Sequence, residues 1–130
     1  MKPADRFATA RVARLATVGP DGAPHLVPIV FALERDLIHT AVDGKPKRHR
    51  HLRRLVNVAA EPRVSVLADH YDEDWGRLWW VRADGVAVVR ERSPAGLAAL
   101  TAKYQQYRDT PPPGPFIEIA VRRWSAWVSA

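Results

Sequence analysis

The stretch RVARLATVGPDGAPHLVPIVFAL, residues 11–33, contains two extended apolar segments with a Gly-Pro-Asp-Gly sequence between them. Glycine and proline around an aspartate are typical of a tight turn, so we expect two antiparallel strands, the second over His25–Leu33. Proline cannot donate to a strand ladder, and Pro24 and Pro28 therefore predict an edge strand or a bulge near Pro28. After a second short turn, a strand over Leu37–Val42 would complete a three-stranded meander.

The next segment changes to the period of a helix. Apolar side chains recur at spacings of three and four residues, and Pro62 must end the helix. The predicted apolar stripe consists of Leu52, Leu55, Val56 and Ala59. The side chains predicted on or beside the polar face are Arg50, Arg53, Arg54 and Asn57.

The second half of the chain predicts more strands and one more helix. A strand over Arg63–Ala68 precedes a long strand in LWWVRADGVAVVRE, which we expect to bend at Gly85. Ser93 and Pro94 are typical of a helix start, and this helix should reach about Tyr107. The segment FIEIAVRRWSAWVS alternates as a last strand. About six short antiparallel strands with two or three helices predict a mainly β fold, a closed or nearly closed barrel without exposed edges.

The composition is typical of one ordered domain. The chain has 130 residues, of which 47% are hydrophobic and 26% charged. It contains no cysteine, which excludes disulfides and thiolate metal sites. The length of the chain predicts a single domain over residues 1–130. Because no apolar run is long enough for a signal peptide or a membrane span, we expect the protein to be cytoplasmic and to have no membrane partner.

The positive charge is concentrated in DGKPKRHRHLRR, residues 43–54. The chain has 20 basic and 14 acidic residues, and six of the basic ones lie in this stretch. The rest of the chain is therefore balanced, whereas nucleic-acid-binding proteins usually spread their cations over a long face. We expect no nucleic-acid partner. A compact anion such as a phosphate suits the cluster better, and a solvated polar face is the alternative.

Neither a metal site nor a catalytic triad is indicated. His49 and His51, the closest histidine pair, are two residues apart, and residues so spaced on a helix point to different faces. The acidic segment DHYDEDWGR lacks the spacing of a calcium loop. We therefore predict no bound metal and assign no catalytic side chain.

Nearly the whole chain resembles the pyridoxamine 5'-phosphate oxidase-like split β-barrels, and most closely their branch that uses the deazaflavin coenzyme F420. The resemblance rests on LATVGPDGAPHLVPI, TAVDGKPKR and LRRLVNVAAEPRVSVLADHYDEDWGRLWWVRADG. It implies a homodimer with cofactor sites at the subunit interface. It also implies an oxidoreductase that transfers a hydride between reduced F420 and an unidentified small-molecule substrate. FMN in the same fold, or a non-catalytic carrier of the cofactor, are the alternatives.

The resemblance also implies which residues bind the cofactor. Lys45, Lys47 and Arg48 would bind the phosphate, close to a helix N-terminus that favours anions. Arg53 and Arg54 would bind the tail carboxylates of F420. Main-chain groups on two neighbouring strands would bind the polar edge of the ring; the residues concerned are Val27, Pro28, Thr40, Ala41 and Val42.

Two adjacent tryptophans add an aromatic candidate. Alternation along the strand predicts that Trp79 and Trp80 face opposite sides of the sheet, one toward the core and one outward. An aromatic side chain on the outer side would suit a dimer interface. The functional alternative is that Trp79 reaches across the dimer and stacks near the cofactor.

Overall fold

The computed structural model describes residues 1–42 and 48–129, with the backbone alone for residues 48–52. In this part of the chain the strands are β1 Ala13–Val18, β2 Pro24–Ile29, β3 Ala32–Glu34, β4 Leu37–Ala41, β5 Arg63–His70, β6 Trp79–Arg90 and β7 Phe116–Val128. The helices are α1 Pro3–Thr9, α2 Arg48–Ala60, α3 Pro94–Lys103 and α4 Gln105–Asp109, with a short 3₁₀ turn at Trp75–Arg77.

The strands form one curled antiparallel sheet in the order β2-β1-β5-β6-β7-β4-β3. This confirms the mainly β fold, a split β-barrel with short helices, with one strand more than the six predicted. The described helices are each too short or too polar to cross a membrane.

The predicted meander is wrong. The segment expected to be one strand over His25–Leu33 is two strands, β2 and β3, which lie at opposite edges of the sheet. The break between the two strands lies at the buried Phe31, whose backbone is held by the hydroxyl of Tyr104. This hydroxyl accepts a hydrogen bond from the N–H of Phe31 (3.1 Å) and donates one to its carbonyl (2.9 Å). β2 is an edge strand, as Pro28 predicts, and its register with β1 runs without a bulge.

Two local signals in the second half are confirmed, and a third is corrected. The register of β6 against β7 shifts between Asp84 and Gly85, where the bend was predicted. Ser93 begins α3, with its side chain accepting a hydrogen bond from the N–H of Gly96. The helix expected to reach Tyr107 is interrupted at Tyr104, whose extended backbone separates α3 from α4.

The predicted faces of α2 are wrong in part. Val56 and Ala59 were expected to face the core but are exposed, whereas Arg54 and Asn57, expected on or beside the polar face, are buried. The amide of Asn57 donates to the hydroxyl of Thr17 in β1 over 3.0 Å, which turns this side of the helix inward. A buried polar group that has a partner costs little, so Asn57 can lie on the inward side of α2 together with Leu55 and Val58, which pack in the core.

A second apolar cluster positions the C-terminal helices beside β4. Leu100, Tyr104 and Tyr107 pack with Ala41 and Phe116. Phe116 is also the strand partner of Ala41. This packing brings α4 next to the end of β4, where the candidate site lies.

Candidate cofactor-binding site

A pocket of about 280 Å³ lies where β4, the end of β2, α2 and α4 meet. It contains four of the residues predicted to bind the cofactor, namely Pro28, Thr40, Ala41 and Arg54. The remaining lining residues are Val12, Ile29, Val30 and Tyr107. Strands that are distant in the sheet order thus contribute to one site.

The β4 side of the pocket is held rigidly by hydrogen bonds. The hydroxyl of Thr40 donates to the carbonyl of Val30 over 2.9 Å, so this side chain ties β4 to the connection between β2 and β3. The N–H of Val42 donates to the carbonyl of Pro115 over 3.0 Å. The Val42 amide is therefore already used, while the small side chain of Ala41 leaves room at the wall.

The β2 side offers backbone rather than side-chain groups. Val27 is half-buried, packs against the core cluster and is not among the lining residues of the pocket. Pro28 is exposed and lies on an edge strand. An edge strand keeps half of its N–H and C=O groups outside its sheet ladder, which suits binding of the polar edge of a planar ring.

Two neighbouring arginines of α2 differ in their surroundings. Arg54 lines the pocket and is 7% exposed, whereas Arg53 is exposed and lies outside the pocket lining. Burial, followed by the charges of Arg53 and then Arg54, lowers the pKa of His25 below its usual value. His25 is therefore neutral at neutral pH, and the positive potential on this side comes from the arginines.

The remaining predicted cations are not placed at the pocket. Lys45 and Lys47 lie outside the described residues. Arg48 is the first residue of α2, but its side chain is likewise outside the description. Their role in binding a phosphate stays a prediction.

Trp79 is not brought to this pocket within one chain. It begins β6, whose last residue, Arg90, pairs with Phe116 beside the site. Eleven residues of strand correspond to roughly 36 Å. The Trp79 ring packs against the core cluster and stacks on His70, with the ring centroids 6.3 Å apart. Trp79 is accordingly not among the lining residues of the pocket.

Four lining residues were not predicted from the sequence: Val12, Ile29, Val30 and Tyr107. Val12 precedes β1, Ile29 ends β2, Val30 follows it, and Tyr107 belongs to α4. No pattern in their own segments marks them, because only the packing of α4 on β4 brings them together. Tyr107 is the largest of the four, and it contributes an aromatic side chain to the lining.

The pocket lining combines a group that binds anions with groups that bind planar rings. A buried guanidinium binds phosphate or carboxylate, apolar and aromatic side chains accept a ring face, and the edge-strand backbone suits ring heteroatoms. These are the groups that a flavin or deazaflavin nucleotide requires. Among the described residues, no cluster of three or more histidine, acidic or cysteine side chains could hold a metal ion.

The curled seven-stranded sheet and its interstrand pocket define a split-barrel protein. The chain belongs to the pyridoxamine 5'-phosphate oxidase family, whose model matches residues 3–128. No curated protein gives a significant match.

Solved structures share the fold at low sequence identity. A FAD-binding protein from Mesorhizobium loti is 21% identical, with 95% of this chain and 89% of that chain covered and a TM-score of 0.68. A FAD-binding protein from Mycobacterium smegmatis is 19% identical, with 95% and 89% covered and a TM-score of 0.65. A haem storage protein from Vibrio cholerae is 18% identical, with 96% and 91% covered and a TM-score of 0.67.

Proposed function

We propose that this protein is an F420-dependent oxidoreductase, which transfers a hydride between the deazaflavin and a small organic substrate. The observation that carries the proposal is the buried Arg54 at a pocket bounded by Pro28 of an edge strand and by Ala41. The family match and the names of the two FAD-binding structures support a flavin-type cofactor. The bound cofactor supplies the hydride chemistry, and the protein binds and orients it.

Each part of the site has a role in this proposal. Arg54 binds an anionic group of the cofactor inside the pocket. The main chain of Val27 and Pro28 on one strand, and of Thr40 and Ala41 on the other, binds the edge of the ring. The exposed Arg53 binds the carboxylates of the F420 tail, and Lys45, Lys47 and Arg48 bind the phosphate.

FMN in the same pocket is the alternative cofactor, since it also has a planar ring and a phosphate. A carrier that binds F420 without catalysing a reaction is the alternative function. A turnover assay distinguishes the carrier from the enzyme. With a carrier, the absorbance of reduced F420 stays unchanged whichever electron acceptor is supplied. With an oxidoreductase, reduced F420 is oxidised in the presence of at least one acceptor, and the absorbance changes.

We expect F420 to bind more tightly than FMN, and the preference to decrease with salt. The tail carboxylates would contact exposed arginines such as Arg53, and such contacts are screened over about 8 Å at physiological ionic strength. The measurement is a fluorescence titration with long-tailed and short-tailed F420 at low and high salt, with FMN and haem in parallel. Equal binding of FMN and F420, with no effect of tail length, would replace F420 by FMN in the proposal.

We further propose that the protein is a homodimer that joins through the outer face of β5, β6 and β7. Trp80 and Trp127 are strand partners on this face and line a groove of about 430 Å³ together with Leu67 and Arg82. Trp127 is 46% exposed, an unusual exposure for a large aromatic side chain. A second copy on this face would bury these rings, as aromatic side chains are commonly buried at interfaces.

Light scattering at micromolar concentration should give twice the 14.6 kDa mass of one chain. Trp127→Glu places a charge in the proposed interface and should shift the species toward the single-chain mass. The exposed Val56→Glu on α2, outside this face, is the matched control and should leave the mass unchanged. A single-chain mass for the unmodified protein contradicts the dimer.

A further inference from the structure

A second groove, of about 500 Å³, lies between α1, β3 and α3 and shares no lining residue with the candidate cofactor site. Its walls are mostly methyl groups; the alanines are Ala8, Ala32, Ala95, Ala98, Ala99 and Ala102. Two side chains at the groove are ionisable, Lys103 and Glu34. The groove therefore combines a mostly apolar wall with the side chain of a lysine.

The environment of the Lys103 amine is unusual. Its Nζ donates to the carbonyl of Ala10 over 2.7 Å and lies 3.8 Å from the centroid of the Phe31 ring. Among the described residues no carboxylate forms an ion pair with it, since Glu34 instead contacts His39 over 3.2 Å. The amine is thus half-buried, beside an aromatic ring and without a negative partner.

These surroundings favour the neutral amine. Burial, helped by the positive charge of Arg11, lowers the pKa of Lys103 from 10.5 to about 8. The contact with the Phe31 ring favours the ammonium form, and the loss of hydration outweighs it. At pH 7 a group with this pKa is neutral a few hundred times more often than an ordinary lysine.

A neutral amine at this position is a suitable nucleophile. It has two N–H bonds and a lone pair, so one N–H can continue to donate to Ala10 while the lone pair remains available for attack. Lysines activated by burial, or by a neighbouring cation, form Schiff bases with carbonyl compounds. Both conditions are met at Lys103.

We propose that Lys103 is a covalent binding site for small planar aldehydes, which enter the alanine-walled groove. The Nζ lone pair attacks the carbonyl carbon to give a carbinolamine. This species loses water to give an imine, so the C=O bond is replaced by a C=N bond and no oxidant or reductant is consumed. The site is independent of the cofactor pocket and goes beyond the proposed oxidoreductase function.

The test is reductive trapping with benzaldehyde and sodium cyanoborohydride, followed by proteolysis and mass spectrometry of the labelled peptides. Lys103 should be labelled at least about tenfold faster at pH 7 than Lys2, an exposed lysine of the same chain. Below about pH 8 the labelling rate at Lys103 should rise with pH, because the deprotonated amine is the form that attacks the aldehyde. Peptide mapping separates both sites from the amino group of Met1.

Two variants make the test specific. Lys103→Arg keeps the positive charge and should abolish the labelled peptide while it retains the thermal transition. Ala98→Leu adds bulk at an exposed position in the groove and should slow labelling of Lys103 several-fold without affecting Lys2. Labelling of Lys103 no faster than that of Lys2 would overturn the proposal, and so would an unchanged rate in Ala98→Leu. Lys103 would then only tether the N-terminal segment to α3.

Discussion

Arg54→Met should weaken the binding of F420 or FMN by tenfold or more. The methionine keeps most of the apolar stem that packs in the pocket, so the main loss is the guanidinium. A charge-assisted hydrogen bond contributes about 1.5–3 kcal/mol, which corresponds to at least a tenfold change in affinity. The measurement is the dissociation constant from a fluorescence titration of each cofactor, with the thermal transition recorded to show that the variant is folded.

Arg53→Met is the matched control, since it removes the same charge from the residue directly before Arg54 in α2. Arg53 is exposed and outside the pocket, so its loss should weaken binding less, and chiefly at low salt. Arg54→Lys keeps the charge and should lie between the native protein and Arg54→Met. Native affinity in a folded Arg54→Met variant would remove Arg54 from the site and weaken the case for the pocket as a whole.

Gly85→Ala should destabilise the barrel more than the same change at any other glycine that the structure describes. Gly85 is buried at the register shift between β6 and β7, and a Cβ there would overlap the backbone carbonyl oxygen of Ala120 and lie 3.0 Å from a side-chain carbon of Ile119. A backbone atom cannot move aside as a flexible side chain can, so the strands must separate. Overpacking of this kind costs about 3 kcal/mol at the upper end of its usual range, or roughly 10 °C in Tm for a domain of this size.

Gly76→Ala is the control for this change. Gly76 is exposed in the 3₁₀ turn, and an added Cβ would meet only the carboxylate of Asp74, which is a movable side chain. Thermal unfolding followed by circular dichroism should show a Tm close to that of the native protein. Equal Tm values for the two variants would contradict the close approach of β6 and β7 at Gly85.

The strands and the turns between them were largely determined by local sequence. The apolar segments around Gly-Pro-Asp-Gly predict β1 and the start of β2, Pro28 predicts an edge strand, and Ser93-Pro94 predicts the start of α3. These signals act within a few residues. Proline lacks the backbone N–H that a strand ladder needs, and the serine side chain caps the N-terminus of a helix. They do not depend on which segment packs against them, and the structure agrees with them.

Which strands pair in the sheet, and which side of α2 is buried, was decided only by the tertiary structure. The break between β2 and β3 depends on the hydroxyl of Tyr104, which is 73 residues from Phe31 in the sequence. The inward position of Asn57 in α2 is accompanied by a hydrogen bond to Thr17, 40 residues away in the sequence. A hydrophobic period cannot show a polar contact over such separations, which is why the meander and the helix face were both predicted wrongly.

The candidate site divides in the same way. The sequence by itself determined that positive charge is concentrated before and within α2, and that small residues end β4. Only the tertiary structure decided that Arg54 rather than Arg53 faces the pocket, that Tyr107 forms a wall of it, and that Trp79 lies at the far end of β6. The physical reason is that burial depends on the rotation of a helix and the order of strands, which are set by contacts between distant segments and not by the residues next in the chain.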